Sequence, residues 1–237
     1  MKLIVFIDYD NLLELQRLAG VLDIVTKALL QTPLDSAATR GTCDVRIYGG
    51  WYEGATLTRL AQDVSVAIHN EFPALVRVLG GARQIITFMT KAELAVALLE
   101  EPSHLLFNTY RRRGKPANIR IQSPATLGCP QVACPLPIAR KLLKTGKCSF
   151  PTCTVTADDL VYRHEQKIVD TMLSCDLIYA AEFGYDRIIL LSGDDDFLPP
   201  LRTALLRGAA TVRFHPKPSN RPVSFPSVGG QLIEMNL

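Results

Sequence analysis

Three consecutive carboxylates follow an apolar run late in the chain, and this arrangement is suited to binding a cation. Residues 190–197 read LLSGDDDF, and residues 187–191 (RIILL) have the character of a buried strand. Acids that follow such a strand lie at the edge of an open α/β sheet where ligands bind. Because crowded carboxylates repel one another, they favour a cation between them. Taken alone, the segment fits equally well a solvated acidic turn in which an Asp caps the next helix.

Two other elements add acids to the same region. The apolar residues 2–7 predict a first strand, which ends in Asp8. Asp170 lies in the N-terminal half of a helix that we predict from Arg163 to about Phe183. If the two strands are neighbours in a parallel sheet, their acids lie side by side. The convergence of acids from three elements predicts a divalent-metal site.

Three blocks of the sequence resemble the signature blocks of the NYN domain family, which belongs to the PIN-like nuclease superfamily. The family pattern is an Asp at the end of the first strand, an Asp early in a helix, often with another Asp six residues on, and a Ser-Gly-Asp-x-Asp-Phe turn. The similar blocks here, in the family order, are FIDYDN, KIVDTMLSCDLIYAA and IILLSGDDDFLPPL. The resemblance covers roughly residues 1–115 and 155–215, and the segment between them departs from the pattern.

The resemblance implies a PIN-like (NYN) α/β fold with a mainly parallel central sheet and helices on both faces. The alternation of predicted strands and helices favours the same fold class. The resemblance also implies a metal-dependent nuclease that hydrolyses phosphodiester bonds with Mg²⁺ or Mn²⁺, with RNA favoured over single-stranded DNA. In such enzymes the ions activate the attacking water and neutralise charge on the scissile phosphate. The catalytic and metal-binding residues that the resemblance implies are Asp8, Asp170, Asp194 and Asp196.

Four further residues are secondary candidates for the same site: Asp10, Asn11, Asp176 and Ser192. Asp10 and Asn11 either bind the metal through water or cap the first helix. Asp176 lies about 240° around the helix from Asp170, so that both cannot face one ion directly. It either positions a base or an outer-shell water, or it faces solvent. Ser192 is similar to a small polar residue of the family, and Gly193 permits a turn that points Asp194 and Asp196 inward. We expect Asp195 to face away or to cap the following helix.

Four of the six cysteines fall in one short window with the spacing C-x4-C-x13-C-x4-C: Cys129, Cys134, Cys148 and Cys153. Two short Cys loops supply the four tetrahedral ligands of a structural Zn²⁺ with little strain. Disulfides and free structural thiols are the alternatives, and a reducing compartment disfavours disulfides. The remaining two, Cys43 and Cys175, are predicted to be core residues.

Basic residues near these motifs are candidate contacts to nucleic-acid phosphates: Arg111, Arg112, Arg113, Lys115 and Lys167. The first four form a compact run in a predicted loop, which is otherwise an ordinary solvated loop. Lys167 precedes Asp170 by three residues on the same predicted helix face, so it either contacts the substrate or offsets acidic repulsion. For Trp51 and Tyr52 we favour packing over base stacking.

The length of 237 residues fits one α/β domain with an insertion. We predict an NYN/PIN-like domain over residues 1–215, interrupted by a four-cysteine insert at 124–156, and an extended C-terminal tail at 216–237. The net charge of +3 is only weak support for a nucleic-acid partner. Because no apolar stretch has the length of a membrane span and no signal-cleavage pattern is present, we expect a cytoplasmic protein without membrane contact. PIN-like domains often pair, so a homodimer is possible.

Local patterns also predict elements away from the acids. The helical spacing of leucines predicts one long helix over about residues 11–30. Residues 83–88 are predicted as a strand, 91–100 as a short helix and 118–122 as a short strand.

Two other functions fit part of the pattern. An NYN-fold RNA-binding module would keep the fold without turnover, although the complete acidic set argues against it. A haloacid-dehalogenase-like phosphohydrolase also carries Asp-x-Asp after its first strand, with Asp8 as nucleophile and Asp10 as general acid/base. That mechanism needs an activating Lys and a Ser or Thr at strand ends, and the sequence contains no convincing pair.

Overall fold

The computed structural model describes residues 1–34, 38–81, 84–113, 135–148, 150–161, 163–218 and 232–237. Within these ranges the strands are β1 (Lys2–Asp8), β2 (Arg40–Tyr48), β3 (Tyr52–Glu53), β4 (Thr56–Leu57), β5 (Ala74–Leu79), β6 (Ile85–Leu94), β7 (Tyr110–Arg113), β8 (Arg163–Gln166), β9 (Arg187–Leu191), β10 (Thr211–His215) and β11 (Leu232–Asn236). The helices are α1 (Glu14–Ala19), α2 (Val21–Gln31), α3 (Arg59–Glu71), α4 (Leu136–Thr145), α5 (Ala157–Leu160), α6 (Val169–Glu182) and α7 (Leu198–Leu206).

The central sheet has seven strands in the order β11-β10-β9-β1-β2-β6-β5. Every neighbouring pair is parallel except β5 and β6, which are antiparallel. From β1 the chain builds one half of the sheet with β2, β5 and β6, and then crosses to build the other half with β9, β10 and β11. The strand order therefore reverses between β1 and β9, and a ligand crevice in such sheets forms at the carboxyl ends of the strands that flank this point.

Helices cover both faces of the sheet. Along β1, Leu3, Val5 and Ile7 belong to a core cluster that also contains residues of α2 and α3. Ile4 and Phe6, which point the other way, belong to a second cluster with residues of α6 and α7. A strand buried on both faces reads as a continuous apolar run, which is why β1 and β9 were recognisable. The predicted α/β class with a mainly parallel sheet is confirmed.

Two predicted helices differ from the structure, one near the start of the chain and one that overlaps the end of β6. The helix predicted over 11–30 is divided at Gly20, whose φ of 93° is incompatible with a continuous helix. The helix predicted over 91–100 is wrong, because residues 91–94 belong to β6 and pair with β2, and residues 95–100 form no helix. Pairing with a neighbouring strand outweighs the local helical preference there.

The helix predicted from Arg163 begins only at Val169. Ile168 has a φ of 60°, in the left-handed region, and this separates the helix from strand β8 at Arg163–Gln166. Asp170 consequently lies in the first turn of α6. The strand predicted over 118–122 lies outside the described residues.

A small second sheet has the strand order β4-β3-β7-β8. By its internal contacts the chain divides into two units, residues 1–110 together with 166–237, and residues 111–165. The second unit contains α4 and α5. None of the helices among the described residues combines the length and the apolar character that crossing a membrane requires.

Candidate metal centre

The ends of β1 and β9 meet through a side-chain hydrogen bond. Ile7 and Leu191 are partners in the parallel register, so Asp8 and Ser192 leave the two strands side by side. The Ser192 hydroxyl donates to Oδ2 of Asp8 at 2.8 Å. Both side chains are buried, with 7% of Asp8 and none of Ser192 exposed. Two of the residues that sequence reasoning proposed are therefore in direct contact at the point where the strand order reverses.

The acidic turn after β9 is held by a chain of hydrogen bonds. The Asp194 N–H donates to Oγ of Ser192 at 3.1 Å, and the Asp196 N–H donates to Oδ1 of Asp194 at 3.0 Å. The Gly193 N–H donates to Oδ1 of Asn11 at 3.2 Å, which ties this turn to the segment after β1. A Cβ on Gly193 would lie 3.3 Å from the same oxygen, so the glycine matters for this close approach, and its φ is not in the left-handed region.

Neither Asp10 nor Asn11 caps the first helix. The residue before α1 is Leu13, and its N–H donates to Oε1 of Gln16 at 2.8 Å. Asn11 instead holds Gly193, and the exposed Asp10 accepts a hydrogen bond from the backbone of Gly50. The capping alternative for this pair is wrong: Asn11 is bonded to the acidic turn, and the charge of Asp10 acts on Asp8.

The four predicted metal ligands form one electrostatically coupled group. Burial raises the pKa of Asp8 to about 6, with smaller contributions from the charges of Asp170 and Asp10, and the Ser192 hydrogen bond opposes the rise. Partial desolvation also raises the pKa of Asp170, and the charges of Asp194 and Asp196 add to it. Because each carboxylate makes ionisation of another harder, a bound cation would stabilise all of them together.

The donor set fits a hard divalent cation that keeps much of its water. Every candidate ligand is a carboxylate oxygen, which Mg²⁺ and Mn²⁺ prefer. No group of three or more His, Cys, Asp or Glu side chains in the described parts of the chain is already arranged around a single metal position. Mg²⁺ commonly binds through one or two carboxylates, several waters and a substrate phosphate, so this open arrangement suits it.

Asp176 has its own partners in the interior. Only 1% of it is exposed, which excludes the solvent-facing alternative. Its Oδ2 accepts from the Tyr48 hydroxyl at 2.6 Å and lies 3.3 Å from Nη2 of Arg46, and its Oδ1 accepts from the Leu99 N–H at 2.8 Å. Both carboxylate oxygens are therefore engaged in a buried network, and the structure does not bring them together with the four acids.

Arg213 is a residue of this region that sequence reasoning missed. It is fully buried, and its Nε donates to the Ser192 carbonyl at 3.0 Å, directly behind the acidic turn. Its Nη2 bonds Oδ1 of Asp195 at 3.1 Å, and its Nη1 bonds Oε1 of Glu234 in β11 at 3.3 Å. Asp195 thus pairs with an arginine, its side chain is 73% exposed, and it does not cap α7, whose N-cap is Phe197. The only signal was an Arg in the centre of a short strand, TVRFH, between Val212 and Phe214.

The predicted nucleic-acid contacts are placed only in part. Arg111 begins the run within strand β7 and not in a loop, and its Nε lies 3.4 Å from Oε2 of Glu165. The side chains of Arg112 and Arg113 and all of Lys115 lie outside the described residues. Lys167 precedes α6, so it does not share a helix face with Asp170, and its N–H donates to the Thr109 carbonyl at 3.0 Å.

Trp51 and Tyr52, the two aromatic residues that follow β2, have different surroundings. Trp51 is fully buried, donates from Nε1 to the Ile47 carbonyl at 2.9 Å and packs against Tyr9 with ring centroids 5.7 Å apart. Tyr52 contacts Phe107 edge to face. Packing is confirmed for Trp51, which has no surface for a base.

Half of the predicted zinc ligands can be placed. Cys129 and Cys134 lie outside the described residues, whereas Cys148 is half-buried and Cys153 is exposed. The four-cysteine zinc site therefore stays a prediction. Of the other two cysteines, Cys43 is buried as predicted, but Cys175 is exposed on α6, so its assignment to the core is wrong.

Mn²⁺ is expected to raise the thermal midpoint of the metal-free protein near pH 7.5 and to have little effect near pH 5. Asp8 has a folded-state pKa of about 6, above its ordinary value of 3.8. The free energy of unfolding of the metal-free protein therefore falls as the pH rises from about 3.8 to about 6 and Asp8 ionises. A cation bound to the ionised carboxylate reverses that loss. Asp8→Asn should stabilise the metal-free protein near pH 7.5 by about 3 kcal/mol and abolish the response to Mn²⁺. Differential scanning fluorimetry measures both, and an equal Mn²⁺ shift in the variant would contradict the assignment.

The chain matches no protein-family model, no curated protein and no solved structure.

Proposed function

We propose that the chain is a divalent-metal-dependent nuclease of the NYN type that hydrolyses phosphodiester bonds, in RNA in preference to single-stranded DNA. The observation that carries the proposal is the pairing of Asp8 with Ser192 at the point where the strand order reverses. Asp194 and Asp196 follow within four residues on one hydrogen-bonded turn, and the charges of both reach Asp170. The order of these acids along the chain is that of the NYN family blocks, which supports the same class.

Each residue has a distinct part in this proposal. Asp8, Asp170, Asp194 and Asp196 would hold Mg²⁺ or Mn²⁺, which supplies an activated water and neutralises charge on the phosphate. The Ser192 hydroxyl orients the Asp8 carboxylate and receives the Asp194 N–H, so it keeps two acids in register. Asn11 and Arg213 hold the backbone of the turn from its two sides. Asp10, exposed beside these groups, is a candidate for a water-mediated contact.

Cleavage of labelled single-stranded RNA and DNA with Mg²⁺ or Mn²⁺, beside samples with EDTA, tests the proposal directly. Metal-dependent cutting supports it and identifies the preferred polymer. Tight binding of RNA without cutting would indicate the binding module. Release of phosphate from small phosphoesters, with neither cutting nor RNA binding, would indicate the phosphohydrolase.

The four-cysteine segment is proposed to hold one structural zinc ion per chain. Purified protein, prepared under reducing conditions, is expected to contain about one zinc per chain, because two Cys pairs complete a tetrahedral site. Cys153→Ser should lose most of this zinc, whereas Cys175→Ser, an exposed cysteine on α6, should keep it. Elemental analysis by mass spectrometry makes the measurement, and zinc-free protein would refute the site.

A further inference from the structure

Strands β5 and β6 form one end of the central sheet and have two different faces. Val76 and Val78 of β5 and Phe88 of β6 belong to the core cluster that also contains residues of α2 and α3. Alternate residues point the other way, to the face on which α6 and α7 pack over β1 and β9. Within the described parts of the chain, the cluster under α6 and α7 contains no side chain of β5 or β6. The core on that face therefore ends before these two strands.

Apolar side chains occupy most of this outward face. The strand register pairs Leu75 with Met89 and Leu79 with Ile85. These four residues, the outer patch, are 61%, 42%, 65% and 61% exposed in that order. An antiparallel pair that faces water on one side normally directs polar residues outward. Exposed apolar side chains that lie together on a protein surface mark a site that another molecule covers.

Cations lie on the same face as the outer patch. Arg77 lies between the two apolar pairs, and its register partner Thr87 is in turn the partner of Arg40 on β2. Lys91 lies two residues beyond Met89 and points to the same side. All three cationic side chains are exposed, and within the described chain they form no ion pair and no hydrogen bond. A partner on this face therefore meets positive charge that the chain itself does not pair.

The two acids on this face have other partners. The Asp44 carboxylate accepts a hydrogen bond from the Tyr185 hydroxyl at 3.2 Å, and Glu93 pairs with the buried Arg46. The outer patch is thus apolar, with cations between its two pairs and at one end. Two copies of the chain laid face to face here would bring these cations together. A partner with acidic groups would instead pair with them, so charge complementarity favours an acidic partner.

The outer patch is separate from the candidate metal centre. Strand β6 runs parallel to β2, and its first residue, Ile85, lies at the amino edge of the sheet. Leu79 ends the antiparallel β5 at the same edge. Asp8, by contrast, ends β1 at the carboxyl edge. What binds the outer patch therefore differs from what binds at the acids.

We propose that the outer patch binds an amphipathic helix of a partner protein, with an acidic residue between apolar ones. Helices α6 and α7 already cover the neighbouring part of this face, so a bound helix extends the same layer. Leu75 and Leu79 are about 13 Å apart along the strand. Positions i and i+8 of a helix are about 12 Å apart on its apolar face, with i+4 midway. An apolar, acidic, apolar stripe at i, i+4 and i+8 therefore matches the outer patch and places the acid near Arg77. The inference goes beyond the proposed nuclease function and does not depend on it.

Selection from a library of displayed helical peptides, with the full chain as the target, tests the proposal. Each peptide is about 18 residues long, or about five turns, and the residues of one face are randomised. We expect the enriched peptides to carry Asp or Glu between apolar residues at the spacing given above. Fluorescence anisotropy then measures their binding to the chain. The Leu75→Ser/Leu79→Ser double variant should bind them at least about tenfold more weakly.

Arg77→Glu gives a readout that a loss of folding does not give. It should weaken binding of the enriched peptides by about tenfold, and a Lys in place of their central acid should restore binding to this variant. Leu206→Ser and Arg59→Glu are matched controls. Leu206 is 67% exposed at the end of α7, and Arg59 lies on α3, which packs on the opposite face of the sheet. Both controls should bind the peptides like the parent.

The remaining outcomes would overturn the proposal. These are a selection that enriches no peptide, and enriched peptides that bind the parent and the double leucine variant equally. A parent dimer in light scattering that the leucine variant abolishes would assign the outer patch to a second copy of the chain. Binding of single-stranded RNA, or of vesicles of equimolar phosphatidylcholine and phosphatidylserine, that the leucine variant loses would assign it to nucleic acid or to a membrane.

Discussion

Asp194→Asn is expected to lower metal-dependent cleavage of RNA by about 10³-fold while the chain stays folded. Asn has the shape of Asp, and its Oδ1 can still accept the Asp196 N–H that Asp194 accepts at 3.0 Å. The turn after β9 therefore keeps its geometry, and the substitution removes only one negative charge from the group that would hold the metal. Single-turnover cleavage with Mn²⁺ measures the loss, and the thermal midpoint shows that folding is retained.

Asp195→Asn is the matched control, because it changes the neighbouring acid on the same turn. Asp195 has a side chain that is 73% exposed and is bonded to Arg213, so we expect cleavage within a few-fold of the wild type. If both variants lose activity equally, the effect comes from the turn as a whole and not from a metal ligand. Full activity in Asp194→Asn would rule out its role at the metal.

Asp176→Asn is expected to lower the free energy of unfolding by about 3 kcal/mol. Tyr48 and the Leu99 N–H donate to different oxygens of Asp176, and in Asn one of these two positions becomes an NH2 group that cannot accept. The guanidinium of Arg46, which is 6% exposed, also loses one of its two carboxylate partners, the one that lies 3.3 Å away, and keeps the other, Glu93. In a chain of this size the change corresponds to a fall of roughly 10 °C in the thermal midpoint.

The exposed pair of Arg59 and Asp63 provides the control for this stability measurement. Their side chains are 86% and 59% exposed, and Asp63→Asn should cost no more than about 1 kcal/mol. A second readout separates a structural role from a role at the metal. The Mn²⁺-induced rise in thermal midpoint should be the same in Asp176→Asn as in the wild type. A reduced rise would show that Asp176 does act on the bound metal, as an outer-shell residue would.

Where the sequence was a good guide, the signal was local. Strands β1 and β9 were predicted because a parallel strand buried on both faces is a continuous apolar run. The acids that follow them could be assigned to one edge of the sheet, because all parallel strands end at the same edge. The contact between Asp8 and Ser192 is the direct consequence of these two facts.

At residues 91–94 and at Asp176 the sequence misled because the deciding partners lie far along the chain. Residues 91–94 became part of β6 because β2 offered a strand to pair with. The sequence pattern of α6 did not show whether the side chain of Asp176 is buried or faces solvent. Its burial depends on Tyr48 and Arg46, which lie more than a hundred residues earlier. Local composition carries no information on such partners.

The sequence by itself determined which strands are buried, where each one ends, and that carboxylates follow two of them. The tertiary structure alone decided how those carboxylates are held. Asn11 binds Gly193 across 182 positions, and Arg213 holds the Ser192 carbonyl from a neighbouring strand. Hydrophobic periodicity reports which face of an element meets the core, because burial acts on each residue separately. Hydrogen bonds and charge pairs depend on two residues at once, and only the folded chain brings those two together.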